Sequence, residues 1–339
     1  MAFATLFTRS LTMKDNSPMD KALLLLRDDL KAFEACFEEN MRSETDQFNR
    51  IGAYLLAAGG KRIRPLLLLL SARISGYLGS QHIVLASVVE SIHMATLLHD
   101  DVLDRATVRR GFPAANLVWG NQAAVLAGDY LLARAFSLVI ASGNLPVLEV
   151  LGRTVSCLVE GEMRQLVGSS ALDLSQEDYL EIVDGKTAAL FAASCRCGAL
   201  LGNDGPGGDA LEDFGFRLGR AFQLVDDVLD YVAEGTEFGK IRGHDLAEGK
   251  VTLPLIHALR HGTDDDRRCI AAALGRSELS ESHFTEVLRI LEQTGGIAYC
   301  LEQARTLCRQ AGEGLRIFAD GPEKEALLEL AGYVVSRSC

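Results

Sequence analysis

Apolar residues recur three and four positions apart through most of the chain, as in Val84, Val88, Ser91, Ile92 and Ala95, and again in Val125, Gly128, Leu132 and Ala135. Sustained alternation, the mark of a half-buried strand, is almost absent. This pattern confines the chain to an all-α fold. Pro65, Pro113, Pro146, Pro206, Pro254 and Pro322 stand at expected helix starts, several just after a capping residue such as Asn144, Thr252 or Asp320. The spacing predicts helices over 20–45, 47–58, 64–78, 82–104, 120–141, 146–170, 176–202, 208–232, 252–262, 265–275, 279–293, 297–318 and 322–337. Glycine-rich joints at Gly59-Gly60, Gly202-Asn203-Asp204-Gly205 and Gly235 separate some of them. Nothing divides the chain cleanly, so the expectation is a poorly ordered segment 1–19 followed by one large helical domain over 20–339.

On two of those helices the same acidic pentapeptide appears, as Asp100-Asp101-Val102-Leu103-Asp104 and as Asp226-Asp227-Val228-Leu229-Asp230. The first and fifth positions of each copy lie about 40° apart on a helix, with the second aspartate beside them. Three carboxylates then crowd one turn, which is costly unless a cation is bound among them. A single copy in an acidic protein reads as a solvated helix face. Two copies with apolar residues just ahead of them, Leu97 and Leu98 in one case and Leu224 and Val225 in the other, read as buried helix ends. Hard carboxylate oxygens completed by phosphate oxygens suit Mg²⁺. Two such turns facing each other would hold a metal-bridged diphosphate.

Cations are placed to match. Lys61, Arg62 and Arg64 stand at a helix entrance after Gly59-Gly60, and Arg109 and Arg110 follow the first acidic turn. Guanidinium forks and helix N-termini both hold anions. Lys240 and Lys250, each after a glycine, lie on a segment able to close over a ligand. His93 lies about 20° from Asp100 around the helix, so its ring looks toward the same space. His93 and His99 do not form a metal pair, because a spacing of six puts them on different sides of a helix. Gly185-Lys186-Thr187 is not the end of a phosphate-binding P-loop, since Leu180 occupies the first glycine position and no strand precedes it.

The net charge of −12 argues against nucleic-acid partners and a polybasic membrane anchor. Eight cysteines show no zinc spacing, so reduced thiols of a cytoplasmic protein are the default. The apolar run Pro65–Leu70 is too short for a bilayer, and the first twenty residues lack a signal peptide's apolar core. A soluble protein without a transmembrane segment is expected.

Taken jointly, Gly-Gly-Lys-Arg-Ile-Arg-Pro, Leu-Leu-His-Asp-Asp-Val-Leu-Asp, Arg-Arg-Gly, Gly-Asp-Tyr-Leu-Leu-Ala-Arg-Ala-Phe, Gly-Glu-Met-Arg-Gln, Lys-Thr-Ala, Phe-Gln-Leu-Val-Asp-Asp-Val-Leu-Asp-Tyr and Gly-Lys-Val-Thr-Leu-Pro resemble the trans-isoprenyl diphosphate synthases of the polyprenyl branch. The resemblance runs from about residue 20 to 260 and leaves the C-terminal helices aside. It implies a helical bundle of the isoprenoid synthase type with a central cavity. By similarity, Asp100, Asp101, Asp104, Asp226, Asp227 and Asp230 would hold Mg²⁺, about three ions, on the allylic diphosphate. Arg109, Lys186 and Lys240 would hold the same diphosphate, and Lys61, Arg64, His93 and Arg110 would hold isopentenyl diphosphate. Thr187 and Gln223 match residues near the developing carbocation, and Gln165 matches a polar residue of the same cleft. Lys250 would complete the substrate-binding set.

In that family, bulky residues just before the first acidic turn stop chain growth. Here Ala95, Thr96 and Ser91 stand there without an aromatic plug. This implies a long product, about C30 to C50 and octaprenyl-like, built on a farnesyl or geranyl primer, delivered to a membrane and suited to quinone side chains. A homodimer is implied too, with the apolar helix 120–141 as its interface. The alternatives are a shorter-chain farnesyl or geranylgeranyl synthase, a class I terpene cyclase, and a non-catalytic subunit of a two-component synthase. Intact aspartates at all six positions weigh against the last two.

Overall fold

The computed structural model describes residues 20–168, 171–202, 205–232, 242–276 and 279–337. The segment 1–19 and Lys240 lie outside the described residues. Helices dominate, as the periodicity requires. In chain order they are α1 (Asp20–Leu25), α2 (Arg27–Asn40), α3 (Asp46–Ala57), α4 (Ile63–Ile74), α5 (Gln81–Leu103), α6 (Ala115–Trp119), α7 (Asn121–Ser142), α8 (Leu145–Gly168), α9 (Gln176–Val183) and α10 (Ala189–Ala199). After these come α11 (Pro206–Val232), α12 (His244–Glu248), α13 (Leu253–His261), α14 (Asp264–Ala273), α15 (Glu281–Gln293), α16 (Gly296–Gly314) and α17 (Pro322–Ser336). Among the described residues the only strands are β1 (Val108–Arg109) and β2 (Phe112–Pro113), an antiparallel pair with Val108 opposite Pro113.

The chain forms two compact units. One holds the chain up to Leu148 with Ser194–Gly208 and Phe318–Tyr333; the other holds Glu149–Ala193, Asp209–Ile317 and Val334 onward. At the heart of the first unit is α5, buried on nearly every side from Leu85 to Leu98 and packed by α7, α2 and α4. A helix apolar all round belongs in a core. In the second unit α11 buries Leu211, Phe214, Leu218, Ala221, Leu224, Val225, Val228 and Tyr231, a stripe at intervals of three and four. There α13 packs on α16, and α15 on α14 and α16. Each acidic pentapeptide therefore ends a long helix whose other residues are anchored in the core.

Several expectations are corrected in detail. The helix expected over 20–45 is broken at Leu26 and ends at Asn40, where the Met41 amide is capped by carbonyls of the last turn. Pro113 lies in β2 and starts no helix. The helix expected over 176–202 is interrupted by a π turn at Asp184–Ala188. Asn144 does cap, its Oδ1 accepting from the Val147 amide at 3.2 Å. Among the described residues two helices are long and apolar enough to cross a membrane, Gln81–Leu103 and Asn121–Ser142. The first is a core helix. The second leaves Leu126 and Ile140 exposed.

Candidate active site

Both acidic turns have the same burial pattern. In each, the second aspartate is buried, Asp101 and Asp227 both being 2% exposed, and the first and fifth are half-buried. Their setting is electrostatically hostile. Each triad occupies the last turns of its helix, where carbonyl ends already present negative potential and carboxylates gain nothing from the macrodipole. A cation is needed at each.

In the first unit, the cation nearest Asp101 is Arg109, whose Nε donates to Asp101 Oδ1 at 2.7 Å while its second terminal nitrogen lies 2.5 Å from the same oxygen. Burial raises the Asp101 carboxyl and Arg109 opposes that shift. Asn116 Nδ2 donates to the Asp101 carbonyl at 3.0 Å, tying α6 to the acidic turn. The β1–β2 hairpin explains how adjacent arginines take different partners. Arg110 and Gly111 form its two-residue turn with φ of 54° and 79°, and such turns need positive φ at both positions. Arg109 thus reaches Asp101, whereas Arg110 donates to the Gly59 carbonyl. Gly60 lies directly beneath that guanidinium: a Cβ there would meet an Arg110 nitrogen at 2.8 Å.

Burial, with Arg64, Arg110, Arg62 and Arg109 around it, pushes His93 well below the usual histidine range. Its ring is therefore neutral at pH 7, a hydrogen-bonding group among cations. His99 is placed elsewhere, its Nε2 3.3 Å from both the Val125 carbonyl and an Asp129 carboxylate oxygen on α7. The two histidines do not pair. Lys61 Nζ lies 5.8 Å from the centre of the Tyr333 ring. Ala95 is fully buried and Ser91 3% exposed, with the Ser91 hydroxyl donating to the Ser87 carbonyl and the Thr96 hydroxyl to the His93 carbonyl.

In the second unit, Asp227 is held from two sides. The Tyr179 hydroxyl donates to Oδ2, and Gln223 Nε2 donates to Oδ1 at 2.8 Å. Thr187 donates in turn to Gln223 Oε1 at 2.8 Å, so Thr187, Gln223 and Asp227 form one chain of hydrogen bonds. Burial and the nearby Asp245 and Asp226 carboxylates push Asp227 up to about 8, against the hydrogen bonds from Tyr179 and Gln223. Asp226 pairs with Arg337, whose guanidinium lies 4.3 Å over Phe222. The Asp230 carboxylate accepts the His244 and Asp245 amides at 3.3 and 3.0 Å. Lys186 pairs with Glu162 at 2.6 Å, and Gln165 Nε2 lies 3.5 Å from the other Glu162 oxygen. Lys250 pairs with Glu248 at 2.8 Å.

The π turn carrying Lys186 and Thr187 has a packing cause. A Cβ on Gly161 would stand 2.6 Å from the Lys186 amide nitrogen, and one on Gly185 2.8 Å from the Cys157 carbonyl oxygen. Backbone touches backbone there, and the helix widens by one residue to allow it. Gly185-Lys186-Thr187 is indeed no P-loop, since it sits inside helix.

The donor set fits a divalent cation that shares its shell with a ligand. Among the described residues no three His, Cys, Asp or Glu side chains converge into a closed metal cage. Mg²⁺ rarely uses one, taking one or two carboxylates with phosphate and water oxygens. Sequence reasoning missed Tyr179, Asp245, Glu162, Asn116 and Arg337. Tyr179 and Arg337 carry no periodic or charge-pattern signal, and Arg337 lies beyond the stretch that carries the resemblance.

The family model described as polyprenyl synthetase matches residues 45–291. An octaprenyl diphosphate synthase of Escherichia coli (strain K12) is 40% identical over 321 residues, covering 94% of this chain and 99% of that protein. Among solved structures, a polyprenyl synthase from Caulobacter crescentus CB15, complexed with calcium and isoprenyl diphosphate, superposes with a TM-score of 0.91 at 39% identity over 96% of this chain and all of the other. A decaprenyl diphosphate synthase from Rhodobacter capsulatus gives 0.89 at 38% identity, over 95% and 99%.

Proposed function

This chain belongs to the polyprenyl synthetase family, and we propose that it condenses isopentenyl diphosphate, head to tail and repeatedly, onto an allylic diphosphate primer to make a long trans-polyprenyl diphosphate of octaprenyl class. The observation that carries this reading is the matched environment of the two pentapeptides, each presenting one buried and two half-buried carboxylates at a helix end. The relatives support the long product: one is an octaprenyl and another a decaprenyl synthase. Ala95 and Ser91, small and buried before the first acidic turn, fit it as well.

Asp100, Asp101, Asp104, Asp226, Asp227 and Asp230 would hold the divalent ions, Mg²⁺ in our reading, and the calcium of the C. crescentus complex supports a divalent ion. Bound there, such ions would neutralise the departing diphosphate. Arg109 and Lys186 add fixed positive charge to the same group, Arg109 exchanging Asp101 for a phosphate oxygen and Lys186 exchanging Glu162. Lys61, Arg64, Arg110 and neutral His93 hold isopentenyl diphosphate. The Thr187–Gln223 pair lends oxygen dipoles to the developing allylic cation. No dedicated protein base is assigned, and the released diphosphate takes the proton lost after each addition. Lys240 and Lys250 act as substrate cations from the segment after α11. We further assign a homodimer through α7, and a soluble cytoplasmic enzyme whose product passes to a membrane.

Purified protein incubated with isopentenyl diphosphate, farnesyl diphosphate and Mg²⁺ should yield a lipid of about C30 to C50 after dephosphorylation and chromatography. A product that stops at C20, or none without a second protein, would refute the long-chain assignment.

A further inference from the structure

The motif Gly59-Gly60-Lys61-Arg62-Ile63-Arg64-Pro65 carries three cations, of which only Lys61 and Arg64 have been given a substrate role. Arg62 behaves differently. Its φ is 53°, a left-handed conformation that non-glycine residues adopt only where their surroundings impose it. The imposing groups come from two helices. Arg62 Nε donates to Glu34 on α2 at 3.1 Å, and a terminal nitrogen donates to Glu90 on α5 at 2.6 Å. The guanidinium lies 5.0 Å from the centre of the Phe37 ring and 6.0 Å from that of Phe33. The side chains of Arg62 and Glu90 are 10% and 3% exposed. A fork committed to two carboxylates and covered by aromatic rings is an anchor.

What it anchors is informative. Lys61 is the residue before Arg62, and Arg64 is on the first turn of α4, which Arg62 precedes as N-cap. Glu90 lies one helical turn before His93 on α5. The Arg62–Glu90 pair therefore links the loop bearing Lys61 and Arg64 to the helix bearing His93, and those charges sense each other: Arg62 and Arg64 both act on His93.

We propose that Arg62 is a positioning residue which, through its buried pair with Glu90, fixes Lys61, Arg64 and His93 in one arrangement and so sets the enzyme's affinity for isopentenyl diphosphate. This rests on the reading of those three residues as the isopentenyl diphosphate set. Arg62 itself touches no substrate. Loosening the pair spreads the three groups over many arrangements, and that loss falls on one substrate and spares the allylic one.

The test is steady-state kinetics of the full chain with each substrate varied in turn, on Arg62→Gly, Glu90→Gln, the double variant, Arg62→Lys and Lys61→Ala. Glycine accepts the left-handed backbone, and glutamine in place of Glu90 removes the buried carboxylate that Arg62→Gly alone would strand, leaving only Glu34, 27% exposed and open to water, so the double variant should keep the fold. The KM for isopentenyl diphosphate should rise about tenfold in Arg62→Gly and in Glu90→Gln, no further in the double variant, and less in Arg62→Lys. The KM for farnesyl diphosphate should stay within about twofold. A rise in Arg62→Gly with Glu90→Gln unchanged would make Arg62 a direct ligand and overturn the proposal. Equal rises for both substrates, or a loss of stability alone, would reduce it to a structural residue. Lys61→Ala separates the premise: an unchanged KM for isopentenyl diphosphate there would overturn the site assignment and the proposal with it.

Discussion

Asp227 is a carboxyl that folding makes hard to ionise. Burial and the Asp245 and Asp226 charges lift it to about 8, so the metal-free protein holds a proton there at neutral pH. Below its ordinary value of 3.8 both folded and unfolded forms are protonated, and the stability this group contributes is lost as pH rises toward about 8. A divalent cation favours the ionised form and must displace that proton. Calorimetry of Mg²⁺ binding in the presence of a diphosphate, in two buffers of different ionisation enthalpy, should show proton release at pH 7 and tighter apparent binding as pH rises to about 8. Binding without proton release would contradict the assignment. Four residues apart on one face of α5, Ser91 and Ala95 make a second residue-level prediction. An aromatic ring at Ala95 fills the face that this account leaves for the growing tail, so Ala95→Phe should shorten the product by several isoprene units. Unchanged length on chromatography would remove α5 from chain-length control.

At the level of elements, the long helices were legible because apolar residues recur at helical spacing over twenty or more residues, as a stripe in α11 and on nearly every side of α5. Pieces made by packing were not. The π turn at Asp184–Ala188 exists because Gly161 and Gly185 let two backbones touch, a tertiary fact with no local period. The β1–β2 hairpin is two residues per strand and turns on Arg110-Gly111, a poor match to the usual Asn-Gly signal. For the candidate site, charge spacing and resemblance single out the six aspartates and the cations after glycine, which stay proposed ligands. Their partners were not legible: Tyr179 and Arg337 are 48 and 111 positions from the aspartates they bind. Gly161→Ala tests the packing argument, because its Cβ meets backbone that cannot rotate away. It should cost about 1–3 kcal/mol in urea denaturation and lower turnover by displacing Lys186 and Thr187. Wild-type stability with normal turnover would show that the π turn is not held by this contact.

For the whole molecule, a net charge of −12 on a protein proposed to bind two diphosphates requires that cations be gathered locally and counter-ions supplied with the substrate. The structure has gathered them: Arg109 sits on Asp101 and Arg337 on Asp226, each acidic turn already holding an internal cation. The apolar face of α7, with Leu126 58% and Ile140 64% exposed, is the surface assigned to a second copy. The central claim is that both acidic turns serve catalysis, and it is tested most directly by measuring incorporation of labelled isopentenyl diphosphate by Asp101→Ala and Asp227→Ala at saturating Mg²⁺. The account predicts a loss of about a hundredfold or more in each, with the fold retained by circular dichroism; activity within tenfold of wild type in either variant would contradict it.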